Sequence, residues 1–171
     1  SSIQQVMDVT FGRGDTFHLW FGLIALLAAT GSLLNSQIVE RLGMRAIVST
    51  MLALQIGVSG AVALLYWTGA VAGEAGFYLF VAWSVGLFFQ AALTLGNLNA
   101  LAMEPMGHLA GLTASVAGAI GTVGAVALAA PIGLMFDGTP RPLVTGVFLL
   151  AICAFALMEA LKRRERAAEG A

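Results

Sequence analysis

The stretch AGFYLFVAWSVGLFFQAALTLGNLNALAM, residues 75–103, runs for 29 residues without a charged side chain. About 20 apolar residues in a helix cross the hydrocarbon core of a bilayer, whereas a strand-type crossing would alternate apolar and polar over about ten. The stretch is continuous and rich in Leu and Ala, so it reads as a membrane helix. Working outward past Glu74 and Glu104, the uncharged windows 16–39, 46–73, 105–136 and 142–158 repeat the pattern. The sequence therefore predicts an all-α membrane protein with five transmembrane helices at about 16–38, 46–68, 76–101, 108–134 and 142–161. Residues 1–15 precede this membrane domain, 16–162, and residues 163–171 follow it as a tail.

Composition agrees. Hydrophobic residues make up 59% of the 171 and charged ones only 10%, against roughly a quarter charged in a soluble domain, which excludes a water-soluble globule. A net charge of -1 speaks against a nucleic-acid partner. The one basic cluster, Lys162, Arg163, Arg164 and Arg166, adjoins the last window at the depth of lipid headgroups, where it serves as a topology anchor or a contact for anionic lipid. The single cysteine, Cys153, reads as a small buried apolar residue. The chain lacks an initiator Met and a signal-like start, which predicts the C-terminal part of a longer protein.

Five crossings place Arg41, Arg45, Lys162, Arg163, Arg164 and Arg166 on one side and Arg13 and Arg141 on the other. Basic residues are retained on the cytoplasmic side, so the expected C-terminus is cytoplasmic in an inner membrane. Window 105–136 is too long for one simple span, because 32 helical residues reach about 48 Å against a core of about 30 Å. Its surplus is expected near Glu104-Pro105 at one end and Pro131-Gly133 at the other. Gly69, Gly73 and Gly76 mark the turn between the second and third windows.

Helices in lipid approach closely where side chains are small. Gly22, Ala25, Ala29, Ser32 and Ser36 recur at intervals of three and four, and so do Gly107, Gly111, Ser115, Gly118, Thr122, Ala125 and Ala129. Each stripe fits either generic helix packing or a sliding interface. In the third window Gln90, Thr94 and Asn97 share one face that Trp83 and Phe80 continue. Polar groups within a membrane need partners or water. Two readings stay open: the wall of an aqueous substrate cavity, or interhelical hydrogen bonding. Gln55 and Ser59, at i and i+4, read as structural glue.

No window carries a charge near its centre, so a proton-relay carboxylate must lie elsewhere if protons drive the protein. His18 and His108 fall at opposite faces, and Glu104 with His108 reads as a cap or surface pair interrupted by Pro105. No nucleophile motif, metal-ligand spacing or phosphate-binding loop occurs, so neither an enzyme nor a metal or other cofactor is expected.

Residues 36–45, Ser-Gln-Ile-Val-Glu-Arg-Leu-Gly-Met-Arg, resemble the signature loop of the major facilitator superfamily, Gly-x-x-x-Asp-Arg-x-Gly-Arg-Lys/Arg. Glu40 stands for the acid, Arg41 and Gly43 match, and Arg45 keeps the final base; Ser36 and Met44 depart from the pattern. The run from His108 to Gly118, with Asn99 to Met103 before it and Asn35-Ser36 ahead of the loop, is similar to Bcr/CflA-type drug/proton antiporters. The resemblance implies helices 8–12 of a twelve-helix fold, with residues 1–15 as the remnant of helix seven and an external loop. It implies proton-coupled efflux of drugs or small molecules, with a missing N-terminal half as partner. It assigns Phe80, Trp83, Gln90, Thr94 and Asn97 to a substrate cavity, and Glu40, Arg41, Gly43 and Arg45 to a conformational loop. It assigns Gly22, Ala25, Ala29, Ser32, Gly111, Ser115, Gly118, Thr122 and Ala125 to the interface between halves, and sends helices nine and twelve to the outside. A non-transporting membrane scaffold or partner subunit is the alternative.

Overall fold

The computed structural model describes residues 2–169, apart from the side chains of Met106, Gly107, His108, Ala110 and Glu169. The expected Glu104–His108 pair and the Gly107 end of the second stripe thus lie outside the described residues. Six α-helices follow one another: α1 (Ser2–Gln5), α2 (Phe17–Leu42), α3 (Met44–Trp67), α4 (Gly73–Met103), α5 (Ala110–Leu134) and α6 (Arg141–Glu169). Among the described residues there is no strand. Five of these helices are long and apolar enough to cross a membrane.

The helix ends follow from local chemistry. Between α2 and α3 stands a single residue, Gly43, whose φ of 78° is costly for any side-chain-bearing residue. Its N–H donates to the Val39 carbonyl at 2.9 Å, and its own carbonyl accepts from Ile47 N–H at 3.2 Å, so one residue closes one helix and opens the next. The α3 terminus is closed by Thr68, whose hydroxyl donates to the Leu64 carbonyl at 2.8 Å. Glu104–Leu109 winds as a 3₁₀ turn beginning at Glu104-Pro105, which takes up surplus length of the fourth window at that end. At its other end α5 runs on through Pro131 to Leu134. A proline that close to a C-terminus forfeits one ladder bond without breaking the last turn, and Met135 N–H still reaches the Pro131 carbonyl at 3.0 Å. The tail expected from 163 continues α6 as helix to Glu169.

Helix ends alternate between two sides of the bundle. On one side Arg13 binds Glu74 at 2.6 Å, the Thr10 hydroxyl donates to the Gly138 carbonyl at 2.9 Å, and Arg141 Nε donates to the Tyr66 carbonyl at 3.1 Å. On the other, Arg45 joins Glu165 at 2.9 Å and Glu104 at 3.7 Å. The core sits toward the Arg13 side, where Phe77, Phe80, Trp83, Tyr66, Ile24 and Val144 enclose Ile3, Val6 and Met7 of the N-terminal segment. That segment, α1 followed by a π-helical turn at Val6–Thr10, packs into the bundle, and a non-helical stretch, 11–16, leads from it to α2.

Packing is uneven. Helix α3 lies along both α6 and α4, and α2 lies along α4, whereas α5 touches α4 and α6 only sparsely. The α3 helix, expected on the outside, is the most buried of the five spans, and it buries Ser49, Gln55 and Ser59. Cys153, expected inside, is exposed on α6.

Candidate functional site

The polar line of α4 divides between two environments. Trp83 is 2% exposed, its indole N–H donating to Ser59 Oγ at 3.0 Å, and Gln55 Nε2 donates to the same oxygen at 2.7 Å. One α3 hydroxyl thus satisfies two buried donors, and the Gln55–Ser59 pair is glue that also binds α4. Phe80 is fully buried against Trp83, ring centroids 5.6 Å apart. Asn97, 3% exposed, pairs with Asn35 of α2: its Nδ2 donates to Asn35 Oδ1 at 2.7 Å and to the Leu93 carbonyl at 2.8 Å, and Asn35 Nδ2 donates back at 3.3 Å. For Phe80, Trp83 and Asn97 the interhelical packing reading replaces the cavity reading, because their surfaces and polar groups are taken up by neighbouring helices.

Gln90 is half-buried and Thr94, although only 4% exposed, lines open space beside it. They border a crevice of about 330 Å³ between α3, α4 and α6, with Leu52, Leu157 and Met158 on the facing walls. The Thr94 hydroxyl donates to the Gln90 carbonyl at 2.9 Å and accepts from Gln90 Nε2 at 3.3 Å. Among the described residues no donor is recorded for Gln90 Oε1, which leaves that oxygen available to an occupant. The volume lies at the lower end of the range of small-molecule sites.

Neither small-residue stripe is used for packing within the chain. Gly22, Ala25, Ala29 and Ser32 of α2 are exposed, and so are Gly111, Ser115, Gly118, Thr122 and Ala125 of α5. No described residue of the most apolar window of α5 is buried. Ser115 and Thr122 donate to the carbonyls four residues back, at 3.0 and 2.8 Å, so the stripe leaves no hydroxyl donor unmet in an apolar setting. Close approach occurs at other glycines. A β-carbon at Gly31 would lie 2.8 Å from the Phe89 carbonyl oxygen of α4, one at Gly60 3.0 Å from the Phe148 ring, and one at Gly146 2.6 Å from Ile132. The buried face of α2 is Ile24, Ala28 and Gly31, one step round the helix from the expected stripe.

At the loop, Glu40 and Arg41 end α2 exposed, and no ion pair of theirs is recorded among the described residues. Arg45 carries the contacts instead, joining the start of α3 to the end of α4 through Glu104 and to α6 through Glu165. Sequence reasoning missed Glu165, which lies 120 positions away and carried no local signal. At the opposite end the Thr139 hydroxyl and N–H donate to Asp137 Oδ1 at 2.6 and 3.0 Å, and these bonds, the hydroxyl first, hold the carboxyl below its ordinary pKa. Among the described residues no group of His, Cys, Asp and Glu is arranged to hold a metal ion. No family model matches the sequence, and neither a curated protein nor a solved structure is found similar to it.

Proposed function

We propose that this chain is the C-terminal part of a secondary active transporter of the major facilitator type, exporting drugs or small molecules by alternating access in exchange for protons, with an N-terminal half as its partner. The observation that carries this reading is the Gln90–Thr94 pair, which lines a crevice near the middle of α4, no donor to the Gln90 carboxamide oxygen being recorded among the described residues. A polar pair at that depth gives an amphiphilic substrate a hydrogen-bonding point in an otherwise apolar crevice. The loop resemblance and the basic charge of one bundle end support an inner-membrane protein with a cytoplasmic C-terminus. No carboxylate lies near the middle of a span, so in this reading the coupling group belongs to the other half.

The test is efflux of ethidium from cells expressing the chain together with its N-terminal half. Exclusion that collapses on adding a protonophore is expected. Accumulation equal to that of control cells removes the reading.

One observation favours the second reading, a non-transporting scaffold or partner subunit. No described residue of the most apolar window of α5 is buried, and open space lies at Gly111, Gly118, Gly121 and Gly124. A helix so poorly held by its own chain is suited to a partner that completes its packing. Recovery of a stoichiometric membrane partner, with no efflux, would establish the scaffold.

A further inference from the structure

At the end of the bundle where Arg41, Arg45 and Lys162 to Arg166 collect, a cleft of about 850 Å³ opens between the α2–α3 junction and the last turns of α6. Its wall carries three cations, Arg45, Lys162 and Arg166, against one carboxylate, Glu165. Acids brace two of the cations: Arg45 binds Glu165 at 2.9 Å and Glu104, outside the wall, at 3.7 Å, and Lys162 binds Glu159, also outside the wall, at 2.8 Å. The rest of the wall is apolar, with Leu42 and Met44 among it, and the exposed apolar surface of α6 continues from there through Leu161 and Leu157.

We propose that this cleft binds a phosphate group, presented by an anionic phospholipid or free in solution. Arg166, for which no ion pair is recorded among the described residues, adds a guanidinium beside the braced Arg45 and Lys162, and guanidinium and ammonium donors suit phosphate oxygens. The site adjoins the apolar length of α6, at the depth where headgroups sit. Its volume far exceeds a phosphate ion, and an apolar wall leading to bare Leu side chains is what an acyl chain requires. The proposal does not rest on the transport reading, although Leu157 and Leu161 also border the Gln90–Thr94 crevice.

The experiment measures thermal unfolding of the purified protein in mixed micelles containing phosphatidylglycerol or phosphatidylcholine, or with inorganic phosphate at matched ionic strength. Phosphatidylglycerol is expected to raise the unfolding temperature saturably. The doubly substituted Lys162→Gln/Arg166→Gln protein, unfolding at the unmodified temperature without lipid, should need about tenfold more lipid for half the rise. Arg164→Gln, a basic residue outside the cleft wall, should leave the titration unchanged. A rise with phosphate alone, lost in the double variant, identifies the free ion as the source; a rise only with phosphatidylglycerol identifies the lipid. Equal rises with phosphatidylcholine, no rise with any probe, or equal weakening by Arg164→Gln overturns the proposal.

Discussion

Asn35 and Asn97 hold each other by two carboxamide hydrogen bonds, 2.7 and 3.3 Å, across the interface of α2 and α4. Each side chain is partner to the other, so removing either strands a polar group in an apolar interface. Asn35→Ala and Asn97→Ala should each lower stability by about 1 kcal/mol, and the double variant should cost less than the sum, with a coupling near the average of about 0.6 kcal/mol for membrane interhelical bonds. Unfolding of the purified chain in a denaturing detergent series measures this. Strict additivity would show that the two amides do not depend on each other.

The second test separates glycines that touch from glycines that do not. Gly31→Ala drives a methyl into the Phe89 carbonyl and should cost about 1–3 kcal/mol. Gly118→Ala meets open space and should leave stability within about 0.5 kcal/mol or raise it slightly, since Ala is the better helix former. Equal losses at the two sites would mean that α5 is packed like α2.

These glycines also show where sequence reading stops. Five spans were legible because uncharged length is a local property, and the break between the first two was legible because charged residues interrupt two apolar runs there. The buried face of α2 was not. Ile24, Ala28 and Gly31 compete with Gly22, Ala25 and Ala29 at the same spacing, and a helix small on several sides has no period that selects one face. On α4 the polar residues were found, yet whether an amide meets water or another amide depends on Asn35, 62 positions away. The Arg45–Glu165 pair was invisible for the same reason.

Ser59 accepts from both Trp83 and Gln55, so Ser59→Ala should cost more than Thr94→Ala, whose hydroxyl donates to its own helix. Two buried donors lose their acceptor in the first variant, with about 1–3 kcal/mol at stake for each. Melting curves recorded by tryptophan fluorescence measure the difference, and the Trp83 contribution to the emission should shift with the loss of its hydrogen bond. A smaller loss for Ser59→Ala would show that the two donors find other acceptors.

Sidedness is checked by labelling. With Cys153→Ser removing the native thiol, which is exposed, Gly138→Cys should react with an impermeant maleimide added outside intact cells and Arg163→Cys should not. The reverse pattern inverts the orientation.

Asp137 gives a pH test. Its folded pKa is depressed, so its contribution to stability is present above the ordinary carboxylate pKa of about 4 and is lost as pH falls through the lower folded value. Thr139→Val removes the hydroxyl that is the largest cause. The acid-side loss of stability below the ordinary carboxylate pKa should shrink in that variant, and an unchanged profile would place the dependence on other carboxylates.

The sparse hold on α5 makes bilayer thickness a control variable for this protein. Twenty-five residues of helix measure about 37 Å against a hydrocarbon core of about 30 Å. A helix gripped by neighbours has its tilt dictated by them, but one with no described residue buried along its apolar window is free to lean until its length matches the lipid. Short-chain lipids should tip α5 further and long-chain lipids draw it upright, while α2, α3 and α4, locked through Gly31, Ser59 and Asn97, keep their angles.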